Sequence, residues 1–381
     1  MHTLRILFFI GLIATLITGC SDDDKPVVPP EAPTATRTLL IYMASNNSLG
    51  REGYDQRDID EMIRGAKAGF PDNSRVLLFH AATDKSQTLN EVTSDGLVTL
   101  RTYDNTTSAI SPERINTVIS DSRTLAPADD YALVLWSHAN GWLAPPEDKN
   151  ASQQRSFGDD GGKQISIPDL AATLEPWKFS FIYFDCCYMA NIESLYEMRH
   201  CANWAIGSAI ELPANGMDYS INLPLLLAST PDLIGAAEAT FNIYDSKTGM
   251  MRTCAMSVVN LNALDDLAQA TRQVYQQASS PGADYHPQHF TLSSTGSSCF
   301  LFDLAHYIDA HSNIDSELLA RWHEALNNAV VYHKSTPYLW STIPLDAHCG
   351  LSTFILNTNV SSSTHGYDTL QWWTDVASAK F

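Results

Sequence analysis

The sequence has little positive charge, and it lacks several motifs that would assign a chemistry directly. Its 381 residues include 23 Lys and Arg against 43 Asp and Glu, a formal net charge of -20 at pH 7. This balance argues against nucleic acid and anionic membrane surfaces as partners, and it favours basic polypeptides, divalent cations or simply solubility. The chain also has no C-x-x-C pair, no glycine-rich phosphate loop and no serine-nucleophile motif. The usual redox, nucleotide-binding and serine-hydrolase signatures are therefore missing.

The N-terminal apolar run is too short for a permanent membrane span, which needs about 20 apolar residues. Residues 6–17 follow an early arginine and precede small residues and Cys20. This arrangement is typical of a secretory signal peptide, which we place at residues 1–20. The ending LITGC resembles a bacterial lipobox, which predicts cleavage before Cys20 and lipidation of its sulfur. An ordinary secretory signal with an incidental cysteine is the alternative.

Residues 21–36 have the composition of a tether. SDDD at 21–24 is similar to the acidic tag that, in some Gram-negative bacteria, sends lipoproteins to the outer face of the outer membrane. The next twelve residues, KPVVPPEAPTAT, include four prolines, so we expect an extended spacer without a core. We therefore predict a cell-envelope lipoprotein of the outer membrane, exposed at the surface.

Hydrophobic runs alternate with helical patterns after the tether, in a chain that is 44% hydrophobic and 17% charged. This alternation predicts an α/β fold with a largely parallel sheet covered by helices. The predicted strands are TLLIYMA (38–44), RVLLFHA (75–81), the start of YALVLWSHANGW (131–142) and FSFIYFDCC (179–187), with helices over 58–68 and from SPER (111–114). In SPER, the serine is a predicted cap and the proline occupies the first helical position.

The C-terminal part of the chain holds fewer signals. Residues 260–277, NLNALDDLAQATRQVYQQ, and 316–334, SELLARWHEALNNAVVYHK, have apolar residues at helical spacing and predict packing helices. CGLSTFI (349–355) predicts a further strand that extends the sheet.

Reactive side chains stand where two of the predicted strands end. His138 follows YALVLWS, and an aspartate and two cysteines follow FSFIYF. In open parallel sheets, ligands bind beyond the carboxyl ends of the strands. Because neighbouring strands lie about 4.8 Å apart, His138 can face one of the cysteines at that edge. Alternation places Asp185 and Cys187 on one face and Cys186 on the other. A helix that begins directly after Cys187 would favour its thiolate, so Cys187 is the better nucleophile.

Structural roles compete with catalysis at these positions. In an exported protein, Cys187 can instead form a disulfide with Cys201, Cys254, Cys299 or Cys349. Adjacent cysteines seldom bridge each other, because the ring they close is strained. From the residues alone, a disulfide, a metal site and a nucleophile all remain open.

The pairing of LWSHANGW (135–142) with FDCCYMANIESLYE (184–197) resembles the clostripain family of cysteine peptidases, relatives of caspases, gingipains and legumains. Similarity continues in TLLIYMASNNSLG, IGSAIELPANGMDYS, CAMSVVNLNALDDL, LNNAVVYHK and CGLSTFI. The resemblance implies a caspase-like three-layer α/β/α sandwich with a largely parallel sheet and additional C-terminal helices. It also implies one peptidase domain at 37–381, with a catalytic core at 37–222 and a C-terminal extension at 223–381.

The resemblance implies a role for each residue at the two strand ends. His138 matches the catalytic histidine and Cys187 the nucleophile. Asp185 is similar to the carboxylate at the base of the pocket that receives Arg or Lys, and Asp218 in NGMDYS is a candidate second acidic residue. The backbone amides of Ala139 and Cys187 are the expected oxyanion donors. The implied function is endopeptidase cleavage of polypeptides after Arg or Lys.

Two residues depart from the family pattern. Ala139 stands where glycine is usual, and alanine resists positive φ. Cys186 stands where alanine or serine is usual. These departures keep open a catalytically inactive surface lipoprotein that acts as a binding module. A thiol oxidoreductase that uses both cysteines is a weaker alternative.

The long polar loop at 143–164 separates the histidine strand from the cysteine strand. Members of the family are made as precursors that cut themselves after a basic residue in this region. The resemblance therefore predicts self-cleavage after Lys149 or Arg155, and a plain surface loop is the alternative.

Calcium is the one cofactor that the resemblance implies, since the family is often calcium dependent. Asp159 and Asp160 in FGDDGGK are carboxylates, but they lack the spacing of a recognisable calcium loop. No metal site is predicted from the spacing of residues.

Overall fold

The computed structural model of the protein describes residues 34–71, 73–143, 157–279, 281, 285–290, 301–356 and 364–380. The predicted signal peptide, most of the tether, Cys20, Lys149 and Arg155 lie outside the described residues. The described residues from Thr34 onward form one compact unit. None of their helices is both long enough and apolar enough to cross a membrane.

Fifteen strands occur among the described residues. They are β1 (Ala35–Ala44), β2 (Arg75–Ala81), β3 (Gln87–Thr93), β4 (Gly96–Tyr103), β5 (Ala128–Trp136), β6 (Phe157–Asp160), β7 (Lys163–Ile165), β8 (Phe179–Asp185), β9 (Ala202–Gly207), β10 (Ala255–Asn260), β11 (Leu301–Asp303), β12 (Val330–Ser335), β13 (Tyr338–Leu339), β14 (Ile343–Pro344) and β15 (Ser352–Phe354).

Eleven α-helices accompany these strands in the described part of the chain. They are α1 (Ser48–Arg51), α2 (Tyr54–Ala68), α3 (Pro112–Leu125), α4 (Ile167–Leu174), α5 (Ile192–Met198), α6 (Tyr219–Leu227), α7 (Leu233–Asp245), α8 (Leu264–Gln277), α9 (Leu304–Asp309), α10 (Ser316–Ala329) and α11 (Gln371–Asp375). Short 3₁₀ helices lie at Glu175–Trp177, Gly249–Met251, Leu261–Ala263, Thr364–Thr369 and Ala377–Lys380.

Nine strands form the central sheet, in the order β12-β10-β9-β8-β5-β1-β2-β3-β4. The five strands from β9 to β2 are parallel, and antiparallel strands border them on both sides. The inner strands β1, β5 and β8 are buried along most of their length. Such burial is expected for parallel strands that are covered on both faces.

Helices cover both faces of this sheet. On β8, Ile182 and Phe184 pack with α3, α4 and α5 in one layer. The alternate residues Phe181 and Tyr183 pack with α2, α6 and α7 in the other layer. The predicted three-layer α/β/α sandwich with a largely parallel sheet is therefore confirmed, and so is the helix that Ser111 caps.

Two predictions for the C-terminal part are wrong. The helix predicted over 316–334 ends at Ala329, and the following VVYHK forms β12 at the edge of the central sheet. Its β-branched and aromatic residues favour an extended chain. CGLSTFI does not extend the central sheet, because its strand β15 pairs with β11 in a separate two-stranded sheet. The β3–β4 hairpin was not predicted, and β4 is largely exposed, without an apolar alternation.

Candidate active site

The candidate catalytic residues leave the central sheet from two adjacent strands. β5 and β8 are parallel neighbours, and Trp136 pairs with Asp185 in their register. His138 and Cys187 therefore each lie two residues beyond the last paired position, at the same edge of the sheet. A pocket of about 270 Å³ opens at this edge, and both side chains line it.

The walls of this pocket come from distant parts of the chain. Leu49 follows β1, and residues 211–214 and Gly216 follow β9. Trp340 reaches the pocket from the β13–β14 hairpin. The C-terminal part of the chain therefore contributes directly to the site.

The Cys187 thiol is partly buried and contacts the opposite wall. Its Sγ accepts a hydrogen bond from the Leu212 amide at 3.4 Å and donates one to the Leu212 carbonyl at 3.7 Å. Burial raises the pKa of this thiol to about 12, although the Leu212 amide acts in the opposite direction. The neutral thiol is therefore the favoured form in this structure.

The helix predicted to begin directly after Cys187 starts later. α5 begins at Ile192 with Asn191 as its N-cap, and Tyr188 adopts a φ of 60° in between. This left-handed residue interrupts any helical continuation of the chain. The helix that was predicted to begin directly after Cys187 and to favour its thiolate therefore does not begin there.

The two adjacent cysteines face opposite layers of the sandwich, as their alternation predicted. Cys186 is buried in the layer of α3, α4 and α5, whereas Cys187 packs against the layer of α2, α6 and α7. All of the described cysteines are free thiols. Cys20 and Cys299 lie outside the described residues, so the part that the structure describes contains no bridge to Cys187.

His138 is held by the first residue of α1, the short helix that follows β1. Its Nε2 shares a hydrogen bond of 2.7 Å with Ser48 Oγ. Asn47 caps α1 and donates to Ser137 Oγ and to the Asp159 carbonyl, which fixes the loop beside β5. Burial lowers the pKa of His138, although nearby carboxylates oppose this shift. The neutral imidazole is therefore favoured.

Asp185 lies at the base of the pocket and is only 5% exposed. Its carboxylate accepts hydrogen bonds from the Met217 amide at 3.1 Å and the Tyr219 hydroxyl at 3.0 Å. Burial raises its pKa to about 7. Gly216 closes over it with a φ of 56°, and a Cβ there would lie 2.5 Å from Asp185 Oδ1. Only glycine fits this position without displacing the carboxylate.

A second buried carboxylate, Asp58, adjoins the pocket and was not predicted. It accepts a hydrogen bond from the Trp136 indole at 2.8 Å and forms an ion pair with Arg57 at 2.6 Å. Burial, followed by the charge of Asp185, raises its pKa to about 8. Asp185 therefore has both a second carboxyl group, Asp58, and the positive charge of Arg57 in its surroundings.

Asp218 has a different place from the one predicted. Its carboxylate caps α6 and accepts hydrogen bonds from the Ser220 amide at 2.9 Å and hydroxyl at 2.6 Å. Among the described residues it does not line the pocket that contains Asp185. The structure thus gives Asp218 a helix-capping contact instead of a pocket position.

Ala139 is buried beside His138 without backbone strain. It is not among the described non-glycine residues that have positive φ, so the usual glycine is not needed there for conformational reasons. The carbonyl of the preceding residue, His138, accepts a hydrogen bond from the Gly158 amide at 2.9 Å. The substitution therefore does not disturb the backbone at this strand end.

The comparisons with known proteins agree with this geometry. The model of the clostripain family matches residues 41–380. The chain belongs to the clostripain family of cysteine peptidases. No curated protein matches the chain in sequence.

Solved structures of C11 proteases share the fold of this clostripain-family chain. One is an inactive zymogen from Parabacteroides distasonis, with 27% identity, a TM-score of 0.78 and coverage of 92% of this chain and 99% of that chain. Another is a secreted protease from Bacteroides thetaiotaomicron in complex with an irreversible peptide inhibitor, with 27% identity, a TM-score of 0.75 and coverage of 90% and 99%. The protein is thus a cysteine peptidase in family and fold.

The carboxylates considered for calcium serve the local structure of this clostripain-family chain. Asp160 accepts hydrogen bonds from Asn46, Ser108 and the Ala109 amide, and Asp159 accepts a backbone amide. The described residues contain no group of three or more His, Cys, Asp or Glu arranged to hold a metal ion. These residues do not fit a calcium site, so we derive no step through calcium.

Several site residues of this clostripain-family chain were missed in the sequence. Ser48 and Leu212 lie inside segments that carried the family resemblance, but no local pattern assigns them a role. Trp340 lies more than 150 positions from Cys187 in the chain. A useful signal for Ser48 was its position after β1, since β1 neighbours the histidine strand.

Proposed function

We propose that this peptidase is a lipid-anchored endopeptidase that cleaves polypeptides after Arg or Lys through a dyad of Cys187 and His138. One observation carries this proposal. A free thiol, an imidazole and the buried carboxylate of Asp185 line a single pocket. The similar protease from Bacteroides thetaiotaomicron forms a complex with an irreversible peptide inhibitor, which supports polypeptides as the substrates of this chain.

In the proposed reaction, His138 acts first as a general base and then as a general acid. Because Ser48 engages Nε2, Nδ1 is the ring nitrogen left for Cys187. His138 takes the thiol proton as the sulfur attacks the scissile carbonyl carbon, and the amides of Ala139 and Cys187 stabilise the oxyanion. The imidazolium then protonates the amine as the carbon–nitrogen bond breaks. Water finally hydrolyses the thioester.

Asp185 supplies the proposed preference for a basic residue. A cationic side chain that enters the pocket meets a carboxylate whose burial strengthens the attraction. An approaching cation also stabilises the ionised form of Asp185 and lowers its raised pKa. Arginine gains most from two-point pairing with a carboxylate, and lysine pairs as a single charge.

Covalent labelling tests this assignment. We expect arginyl and lysyl acyloxymethyl ketone probes to modify wild-type protein at Cys187, with a matched norleucyl probe reacting far more slowly. Cys187→Ala should remove labelling, whereas Cys186→Ala should keep it. Peptide mapping of the labelled protein identifies the modified residue. Wild-type protein that no probe labels would instead support the inactive binding module.

Lipid anchoring through Cys20 is the second part of the proposal, and it is supported by the lipobox-like LITGC and the proline-rich segment that follows. In the native host, Cys20→Ser should abolish incorporation of a labelled fatty acid and release the protein from the membrane fraction. Equal fatty-acid labelling of wild type and Cys20→Ser would contradict the anchor. The proposed localisation is the outer membrane, facing the surface.

Self-processing in the loop at 143–164 completes the proposal. Lys149 and Arg155 supply basic residues there, which match the preference proposed for Asp185. The similar Parabacteroides distasonis protease is described as an inactive zymogen. We infer that this chain is also made as a precursor that cleaves itself after one of these residues.

A further inference from the structure

Trp340 stands at the tip of a hairpin in an unusual backbone conformation. β13 and β14 pair around it, and the Thr342 amide donates to the Leu339 carbonyl at 2.9 Å. The two central residues, Trp340 and Ser341, have φ values of 50° and 57°. Hairpin turns with two left-handed residues normally use Asn, Asp or Gly. Strained residues of this kind concentrate at functional sites.

The strained turn places the Trp340 side chain in the wall of the catalytic pocket. Its backbone amide donates to Thr253 Oγ1 at 3.2 Å. Its indole Nε1 donates to Glu211 Oε2 at 2.9 Å. The indole and the carboxylate therefore hold each other in place, and both line the pocket that contains Cys187.

Glu211 is a carboxylate that the reaction proposed above does not use. It is partly buried and directly precedes Leu212, whose amide contacts the Cys187 thiol. Only its Oε2 has a hydrogen-bond partner among the described residues, so Oε1 remains available to a ligand. Both acids line the pocket, but Glu211 is more exposed than Asp185 and the two carboxyl groups have different hydrogen-bond partners.

We propose that Glu211 and Trp340 form a second specificity subsite, for a cationic side chain next to the substrate residue held by Asp185. A carboxylate beside an indole face attracts Lys and Arg both by charge and by cation–π contact. The indole hydrogen bond fixes the carboxylate before substrate binds, so less ordering is needed on binding. This inference rests on the proposed cleavage after basic residues, and it predicts a preference for paired basic residues.

Internally quenched peptides test the subsite in the full chain. Each peptide carries one Arg at the cleavage position, with Lys or norleucine placed one residue before it, two residues before it or one residue after it. For at least one placement, we expect wild type to have a kcat/KM about 10-fold higher for Lys than for norleucine. The preference should weaken as salt is raised, because ions screen exposed charges.

Three variants assign the preference to the proposed groups. Glu211→Gln keeps an acceptor for the indole and should reduce the Lys-to-norleucine ratio to below about 2-fold. Trp340→Phe keeps an aromatic face but loses the indole donor, so its Lys-to-norleucine ratio should lie between that of wild type and that of Glu211→Gln. Glu52→Gln is the matched control. The charge of Glu52, like that of Glu211, raises the pKa of His138, but Glu52 is exposed and does not line the pocket. Its ratio should equal that of wild type.

Ratios within one variant cancel general effects on the reactivity of Cys187. A wild type that cuts after Arg with no neighbour preference at any placement overturns the second subsite alone. A preference for Lys that survives in Glu211→Gln also overturns the second subsite. If that variant does not fold, the salt dependence of the wild-type preference still tests the subsite. A wild type that cuts none of the peptides overturns both the subsite and the proposed cleavage after basic residues.

Discussion

His138 and Cys187 lie in surroundings that favour their neutral forms. Burial lowers the pKa of the imidazole and raises that of the thiol to about 12. In the proposed reaction, the pair therefore begins as imidazole and thiol instead of an ion pair, and proton transfer accompanies the attack of the sulfur. The proposed proton transfer requires a fixed orientation of the His138 ring, and we infer that Ser48 sets this orientation through its hydrogen bond to Nε2.

Ser48→Ala tests this positioning role. Without the hydroxyl, the imidazole loses the contact at Nε2, and we expect kcat to fall about 10- to 100-fold with little change in KM. The pH dependence of kcat should also shift, since the hydrogen bond acts on the titrating ring. Ser48→Thr keeps the hydroxyl and should restore most of the activity. Wild-type kcat and an unchanged pH profile in Ser48→Ala would contradict the role.

The proposed role of Asp185 predicts that substrate selection depends on pH. Its pKa is raised to about 7 by burial, so the carboxyl becomes neutral as the pH falls below about 7. We expect the kcat/KM ratio of an Arg substrate to its norleucine analogue to fall along that range. Asp185→Asn should lower kcat/KM for the Arg substrate about 100-fold and remove the pH dependence of the ratio. A ratio that is constant from pH 5 to pH 8 in wild type would argue against Asp185.

Elements that carry their own local signals were predictable. The strands at 75–81 and 179–185 are apolar runs, and Ser111 with Pro112 marks the start of α3. The start of α5 was misplaced because a left-handed Tyr188 interrupts a stretch with helical spacing. The strand β12 was missed because it follows α10 without a turn signal, and its pairing with β10 selects the extended conformation.

α5 is tied to β15 by a buried carboxylate that sequence spacing did not reveal. Glu193 on α5 is completely buried, and its Oε1 accepts hydrogen bonds of 2.8 Å from the Thr353 hydroxyl and the Phe354 amide. Burial raises its pKa from 4.5 to about 7. The protonated form therefore stabilises the fold. This contribution is complete below about pH 4.5 and is lost as the pH rises through about 7.

Glu193→Gln should remove this part of the pH dependence of stability. The free energy of unfolding of the variant minus that of wild type should be about 1–3 kcal/mol higher at pH 8 than at pH 5. Urea unfolding of both proteins at the two pH values measures this difference. Glu113→Gln, at an exposed position on α3, is the control and should show no such gain. Parallel pH curves for wild type and Glu193→Gln would exclude the effect.

At the scale of the whole molecule, the two sides of the loop at 143–164 meet inside one sheet. β1 to β5 occupy one part of the sheet, and β8, β9, β10 and β12 occupy the other. The parallel contact of β5 with β8 joins the two parts. A cut in the loop would therefore leave two pieces held together by a buried sheet contact and by the helices packed across it.

Self-cleavage should consequently leave the native assembly intact. We expect wild type to give two bands on a denaturing gel but one peak of unchanged volume in size-exclusion chromatography. Cys187→Ala should give one band, and the double variant Lys149→Ala/Arg155→Ala should resist cutting. A single identical band from wild type and Cys187→Ala would refute self-processing.

The sequence by itself determined the layered α/β fold and the two strand ends that carry His138 and Cys187. Apolar runs, helical spacing and caps act over a few residues, so they are visible in any stretch of chain. Only the tertiary structure decided which groups surround that pair, because Ser48, Leu212 and Trp340 come from separate segments of the chain: the start of α1, the loop after β9 and the β13–β14 turn. Burial then set the protonation of the site, and burial depends on the segments that meet in space and not on their order in the chain.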